Sequence, residues 1–477
     1  MYGVNMLLTF LKNHIVYKIN NRKLLVVGAF LTLFFCLLFR GLNHYIIQNF
    51  KVETGQSLQL CTPILNRSLN CMKLAMGDTE EIQKVQGYIK HNKISSKCQI
   101  YNLLENCITL KLAHGYVTEE EMVLPEERQF PLAFAIKMHT NPEQAEQLLR
   151  TIYRPHNTYC IYVDRKSDIK TYETMKRLGG CFNNIHVVEN RINMIYSSIN
   201  LVEAELECMR TLVKSNTSWK YYINLTGQEF PLKTNFEIVK ILLKLNGAND
   251  IESYEFPIIK QKRYTRRYEI RGNAIHETKA LKNSFIKRFQ LRKGSAYGAF
   301  SRPFVEFILT DNIAIRFLKW LNGTYAPEES AWATLNSLPW APGGYTKANP
   351  FMSRAVIWSF KDGINCQGHF VRGVCIYSAK DLPWLVHRDQ LFANKFYKDR
   401  DPIVLDCLED ILKNRTKTNK LEDLNWFYYN TLPHAKYHTE FHSKLTRTYF
   451  NRQKDNWLDD HHVTSNLEPW HEKSNKQ

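Results

Sequence analysis

The sequence has no C-x-x-C pair among its eleven cysteines, no internal repeat, no low-complexity segment, and no Ala-x-Ala-like cleavage site behind its one long apolar run. The first absence argues against a zinc site. The missing repeats and biased tracts, with 44% hydrophobic and 23% charged residues, describe an ordered globular protein. Negative charge is also scarce: 46 acidic residues face 64 lysines and arginines, a formal +18. Such an excess suits nucleic acid, an anionic membrane or a negatively charged small substrate, and compartment decides among them.

The apolar run, Leu24 to Phe39, extends through Gly41 and Leu42 to the roughly 17–25 residues that span a bilayer. Lys12, Lys18, Arg22 and Lys23 precede it, so the positive-inside rule puts the N-terminus in the cytosol and everything after residue 42 across the membrane. With no cleavage site behind it, the run reads as an uncleaved anchor. Ten cysteines then face an oxidising lumen, where disulfides are the better reading. Sequons begin at Asn66, Asn216, Asn224, Asn322 and Asn414 on the same side; Asn224 sits inside an apolar strand pattern that disfavours modification. This topology removes nucleic acid as a partner.

The domain reading is a cytoplasmic tail (1–23), an anchor (24–42), a stem and helical lead-in (43–130), a catalytic-type domain (131–420) and an aromatic, His-rich tail without clear period (421–477). From Pro131 strands and helices alternate. Strands are expected at Leu132–His139, Tyr159–Asp164, Ile185–Glu189 and Trp219–Leu225, and helices at Pro142–Tyr153, Ile169–Leu178, Ile199–Val213 and Asn235–Leu245. The pattern predicts an α/β fold, a mainly parallel sheet with helices on both faces, whose ligands collect at the carboxyl ends of the strands, where His139, Asp164 and Gly227 fall.

Several stretches carry chemistry. In Thr324-Tyr-Ala-Pro-Glu-Glu-Ser-Ala-Trp-Ala-Thr-Leu335, Pro327 suits a helix start, and Glu328 and Glu329 fall in the first turn. Two glutamates there can cap a surface helix, or one can act as a general base beside packed aromatics. Asp164 can hold a ligand or cap the next helix. Metal-using nucleotide-sugar enzymes usually carry Asp-x-Asp after such a strand, but Asp164 is followed by Arg165 and Lys166. The one Asp-x-Asp, Asp399-Arg-Asp401, reads as a solvated turn, and Asp459-Asp-His-His462 as an exposed tail. Arg372 and Lys395, each in an apolar stretch where an unpaired cation is costly, are candidates to neutralise phosphate. Glu252 with Lys260, Lys262, Arg263, Arg266 and Arg267 forms a basic segment that is either a solvated loop or a binding surface, and Trp358 is core or a sugar-stacking ring.

The motifs Tyr159-Cys-Ile-Tyr-Val-Asp-Arg-Lys166, Trp219 to Asn235, Gly294-Ser-Ala-Tyr297, Thr324 to Leu335 and Leu391-Phe-Ala-Asn-Lys-Phe396 resemble the β-1,6-N-acetylglucosaminyltransferases that branch mucin-type O-glycans and poly-N-acetyllactosamine. The likeness runs in order from about Cys71 to Cys407. It implies a GT-A-like Rossmann-type sheet in a single-pass type II Golgi enzyme that inverts the anomeric centre of UDP-GlcNAc with no metal or other cofactor. By the same likeness Glu329 is the catalytic base and Arg372 and Lys395 grip the UDP phosphates. Lys137, Met138, His139, Asp164, Arg165, Lys166 and Tyr196 would line the donor pocket. Glu252, Lys260, Arg263 and Trp358 match acceptor-binding residues of the core 2 enzymes. Phe360 stands where those enzymes have tyrosine, which puts one acceptor hydrogen bond in question, and Lys137 stands where the family has an apolar residue. The implied disulfides are Cys71–Cys407, Cys107–Cys181, Cys160–Cys208 and Cys366–Cys375, leaving Cys61 and Cys98 as extras. Thr226 replaces a usually free cysteine of the family and creates the Asn224 sequon.

The expectation is therefore a transferase making core 2 branches on Galβ1,3GalNAc of O-glycosylated glycoproteins, with a homodimer left open. I-branching is the runner-up, because Arg354-Ala-Val-Ile-Trp-Ser359 and the spacing around Cys366 look nearer to those enzymes. A lumenal glycan-binding protein on a degenerate transferase fold is the rival of another class.

Overall fold

The computed structural model of the protein describes residues 69–91, 100–116, 123–286, 290–360, 363, 365–441 and 447–460. The expected anchor at 24–42, the sequon at Asn66 and the spare cysteines Cys61 and Cys98 lie outside them. Among the described residues no helix is long and apolar enough to cross a membrane.

Four apolar runs make the parallel part of the central sheet: β1 (Leu132–Met138), β2 (Thr158–Val163), β3 (Ile185–Val187) and β4 (Tyr221–Thr226). The short strands β5 (Glu229–Pro231) and β6 (Asp250–Ile251) follow, then β7 (Tyr254–Glu255), the hairpin of β8 (Arg266–Arg271) and β9 (Ala274–Leu281), β10 (Arg292–Lys293) and β11 (Gly298–Ser301). The sheet order is β3-β2-β1-β4-β11-β6, and β11 runs antiparallel to both neighbours. The sheet is thus mixed rather than parallel throughout. A parallel return needs a crossover, and the chain between β6 and β11 spends itself on small antiparallel pieces instead.

Alternation along the strands divides the core. Leu132, Phe134, Ile136 and Met138 face one side with Tyr159, Ile161, Ile223 and Leu225, under the helices Pro142–Ile152, Ile169–Gly180, Asn235–Leu245 and Pro402–Thr418. Ala133, Ala135, Cys160, Tyr162 and Tyr222 face the other, under Asn200–Val213, Arg302–Thr310, Asn312–Trp320 and Glu328–Asn336. Strands buried on both faces read as continuous apolar runs, which is why these four stand out in the sequence.

The remaining strands, β12 (Arg354–Ala355), β13 (His369–Val371), β14 (Val374–Ile376) and β15 (Phe392–Asn394), lie beyond the helix Glu328–Asn336; β12, β15 and β5 form one small sheet, β13 and β14 a hairpin. All four implied disulfides form: Cys71–Cys407, Cys107–Cys181, Cys160–Cys208 and Cys366–Cys375. Asn216, Asn322 and Asn414 are exposed, whereas Asn224 is fully buried in β4.

In the lead-in, Pro125–Gln129 forms a helical turn with proline in its first positions, where the missing N–H does no harm. Two local expectations are corrected. Asp401 is not solvated; it is 5% exposed and caps the helix Pro402–Thr418 by accepting from the Ile403 and Val404 amides. The tail is helical at Trp426–Thr431, Pro433–Glu440 and Arg447–Asp460, and buries Tyr429 and His434.

Candidate active site

The helix that carries Glu329 starts where three segments meet. Its lead-in is pinned by two backbone bonds, from the Tyr325 amide to the Arg263 carbonyl (2.8 Å) and from the Ala326 amide to the Ser197 carbonyl (2.8 Å). Pro327 is the cap and Glu328 the first helical residue, one position later than the sequence suggests. On the far side the Gly294 amide donates to the Glu329 carbonyl (2.8 Å). Only glycine fits there, since a Cβ on Gly294 would lie 1.9 Å from the Glu252 carbonyl oxygen. The Gly294-Ser-Ala-Tyr motif therefore wedges the backbone of Glu252 against the helix that carries Glu329.

The Glu329 carboxylate, one-third exposed, is held by Arg263 Nη1 at 2.5 Å and Lys293 Nζ at 2.8 Å. Burial pushes its pKa up, but the Lys293 and Arg263 cations outweigh it and leave the group below the ordinary glutamate range. It stays ionised at neutral pH. Lys260 is close enough that, after partial burial, the charges of Lys293 and Arg263 lower its pKa while Glu329 opposes them. Glu252, half-buried, belongs to the same corner through Gly294. The structure thus brings Glu252, Lys260, Arg263 and Glu329 together, and adds Lys293, which the sequence reading missed. Lys293 sits in a two-residue strand, 6% exposed, with no period or motif of its own to mark it.

Glu328, next door, has the opposite environment. It is 9% exposed; burial first, then the Glu329 charge, raise its pKa to about 7, while its own backbone amide, Lys137 and Arg263 pull it down. Its Oε2 has no hydrogen-bond partner in the protein. Such an oxygen costs about 1–3 kcal/mol.

The second cluster gathers at the ends of β1 and β2. Asp164 is 5% exposed; its Oδ1 accepts from the Lys166 and Met194 amides (both 3.0 Å), and its Oδ2 lies 3.8 Å from Lys166 Nζ. His139 is pulled down by partial burial and then by Lys395, Lys166 and Arg372, with Asp164 opposing. These five groups therefore share one neighbourhood. Arg165 is exposed beside them. Arg372 is not held in an apolar stretch as its flanks suggest: the tight turn between Val371 and Val374 lifts it to an exposed tip, 5.1 Å over the Tyr196 ring. Lys395 is half-buried and lies 5.2 Å over Tyr397.

Two expected donor residues are committed elsewhere. Lys137 points to the second face of the sheet and pairs with Glu205, which also binds Tyr222 and Asn224. Met138 is 2% exposed in the core, and its carbonyl accepts from Asp164. Trp358 is half-buried and its ring lies 5.4 Å from Phe360, which is 72% exposed. Neither ring joins the core, so the pair is an aromatic surface beside the Arg372 hairpin, to which Trp358 bridges through Val374. Among the described residues no three His, Cys, Asp or Glu side chains are grouped as metal ligands.

The left-handed backbone marks the same place. Of the six non-glycine residues with positive φ among the described residues, Asn141, Asn246 and Asn419 are asparagines at helix ends, where that conformation is cheap. The other three, Ser197 (60°), Ala326 (51°) and Arg372 (52°), all belong to the candidate site. Strain of this kind persists where surrounding structure over-determines it, and it clusters at functional sites.

Residues 132–386 match the family described as Core-2/I-Branching enzyme. The human β-1,3-galactosyl-O-glycosyl-glycoprotein β-1,6-N-acetylglucosaminyltransferase is 33% identical over 75% of this chain and 88% of its own. A mouse enzyme of that name, numbered 4, is 36% identical over 68% of this chain and 72% of its own, and the zebrafish one 37% over 62% and 73%. On these matches the chain belongs to the core-2/I-branching family of glycosyltransferases.

Proposed function

We propose that the protein transfers GlcNAc from UDP-GlcNAc, with inversion and without a metal, to the 6-hydroxyl of the GalNAc in Galβ1,3GalNAc, building core 2 branches on O-glycosylated glycoproteins. It would do so as a type II Golgi membrane protein anchored by residues 24–42. The observation that carries this reading is Glu329, ionised between Arg263 and Lys293 at a helix start, with Arg372 and Lys395 gathered beside His139 and Asp164, and Tyr196 both under Arg372 and within reach of the Glu329 charge. In one displacement the acceptor oxygen bonds to the anomeric carbon, the carbon–phosphate oxygen bond breaks, and the hydroxyl proton passes to Glu329. Arg372 and Lys395 offset the charge that develops on departing UDP, a task suited to cations because Asp164 is followed by Arg165 and Lys166, not a second carboxylate. The relatives' printed name, which specifies a β-1,3-galactosyl O-glycosyl glycoprotein, supports the acceptor.

The test incubates the purified chain with UDP-GlcNAc, EDTA and either Galβ1,3GalNAc or N-acetyllactosamine. Transfer to GalNAc O6 that survives EDTA and falls by about 100-fold or more in Glu329→Gln is expected. Transfer only to the lactosamine galactose would move the function to I-branching, and no transfer to either would leave a binding protein.

A further inference from the structure

We propose that Glu328 is the specificity-determining residue for the donor sugar, its unpartnered carboxyl oxygen bonding a ring hydroxyl of the transferred hexosamine. The inference rests on the donor reading above and deepens it. An in-line displacement requires the leaving phosphate and the attacking oxygen on opposite sides of the anomeric carbon, so the sugar ring must lie between the groups that hold each. Here those groups are Arg372 and Lys395 at one end and Glu329 at the other. Glu328 is within electrostatic reach of the surroundings of both. Its charge is felt by Tyr196, which stacks under Arg372, and by Tyr297, whose hydroxyl bonds Asn394 next to Lys395; on its other side it is felt by Glu329 and Arg263.

The carboxyl is more than nine-tenths buried, one oxygen is without any partner, and the helix it opens gives that oxygen nothing to do. A residue present only to cap the helix would spend both oxygens on amides. Glu328 satisfies itself once, through its own backbone N–H, and leaves Oε2 buried and unpartnered. Burial and the Glu329 charge keep it close to neutral, and a carboxyl that is neither firmly charged nor firmly neutral can accept from a sugar hydroxyl or donate to one. Firm ionisation is reserved for its neighbour. Two adjacent glutamates with environments that push them apart thus divide the work between donor sugar and acceptor proton.

The experiment uses the full chain, wild type and with Glu328→Gln and Glu328→Ala, the glutamine keeping the shape should alanine misfold. Thermal shift is read first with UDP and with UDP-GlcNAc. Wild type is expected to gain more from the sugar nucleotide than from UDP, and both variants to lose that excess while keeping the response to UDP. In turnover the KM for UDP-GlcNAc should rise about 10-fold in the alanine variant, with UDP inhibition and acceptor KM within about twofold of wild type. Equal loss of UDP and UDP-GlcNAc affinity, a rise in acceptor KM instead, or an unchanged excess in the variants would overturn the assignment. Absence of the excess in wild type would instead refute UDP-GlcNAc as the donor, which is a different failure.

Discussion

Three cations gather about the Glu329 carboxylate, and their balance sets its charge state. Arg263 and Lys293 touch it, and Lys260 feels both. With both in place the carboxyl stays ionised to lower pH than an ordinary glutamate, and the acid limb of kcat/KM for acceptor should lie correspondingly low. Lys293→Met removes the cation that holds the group down most, so the limb should move to higher pH; a pH profile of the variant checks this, and an unmoved limb would mean that Lys293 does not govern the base. Glu329, Arg263, Lys260 and Glu252 were legible because their motifs resemble those of a known family. Lys293 was not, because a lysine in a two-residue strand gains its meaning only when β10 pairs with β7 and lies along the catalytic helix.

At the scale of elements, the hairpin of β13 and β14 explains an awkward residue choice. Val371 pairs with Val374, so Arg372 and Gly373 form the whole turn, with φ of 52° and 80°. Positive φ at both positions is the hairpin geometry that asparagine and glycine favour; arginine there costs about 1 kcal/mol, and its reach over Tyr196 is the compensating use. Cys366–Cys375 closes a loop with a separation of nine residues around this tip. Chain entropy gives a bridge that short about 2–3 kcal/mol of ordering. Replacing both cysteines by serine should therefore raise the KM for UDP-GlcNAc, with a ceiling of about 100-fold, while acceptor KM and the global Tm change little. The four parallel strands were legible from continuous apolar runs, and the helices from their alternation with those strands. The hairpin tip was not. Read along the sequence, Arg372 lies between apolar residues and looks buried; only the tight turn exposes it.

Across the whole molecule, the tail that shows no period in the sequence backs the corner that holds Glu252. The helix Pro433–Glu440 buries His434, whose Nδ1 lies 2.9 Å from Asn349 Oδ1. Asn349 in turn exchanges backbone bonds with Ser253 and reaches the Ile251 carbonyl, on either side of Glu252. Polar burial of this kind has no hydrophobic period, so only the assembled fold displays it. It also predicts a pH signature. Burial holds the His434 imidazole down to about 4 from an ordinary 6.5, so its contribution is full above about pH 6.5 and is lost as pH falls towards 4, where the unfolded chain takes up a proton that the native one refuses. Asp250, 3.5 Å from Nε2 and raised by burial to about 6, acts in the opposite sense: below about pH 6 the folded chain takes up its proton first. The two partly cancel in the wild type. In His434→Asn the Asp250 part remains while the histidine penalty is gone. The variant should be about 1–2 kcal/mol less stable than wild type at pH 7, for the weakened contact to Asn349, and that gap should shrink, by at most about 3 kcal/mol, as pH falls from 6.5 to 4. Denaturant melts of both proteins across that range decide it: a gap that stays constant with pH would mean that His434 is not held neutral, and that the tail is fastened to the Glu252 corner by something other than this buried imidazole.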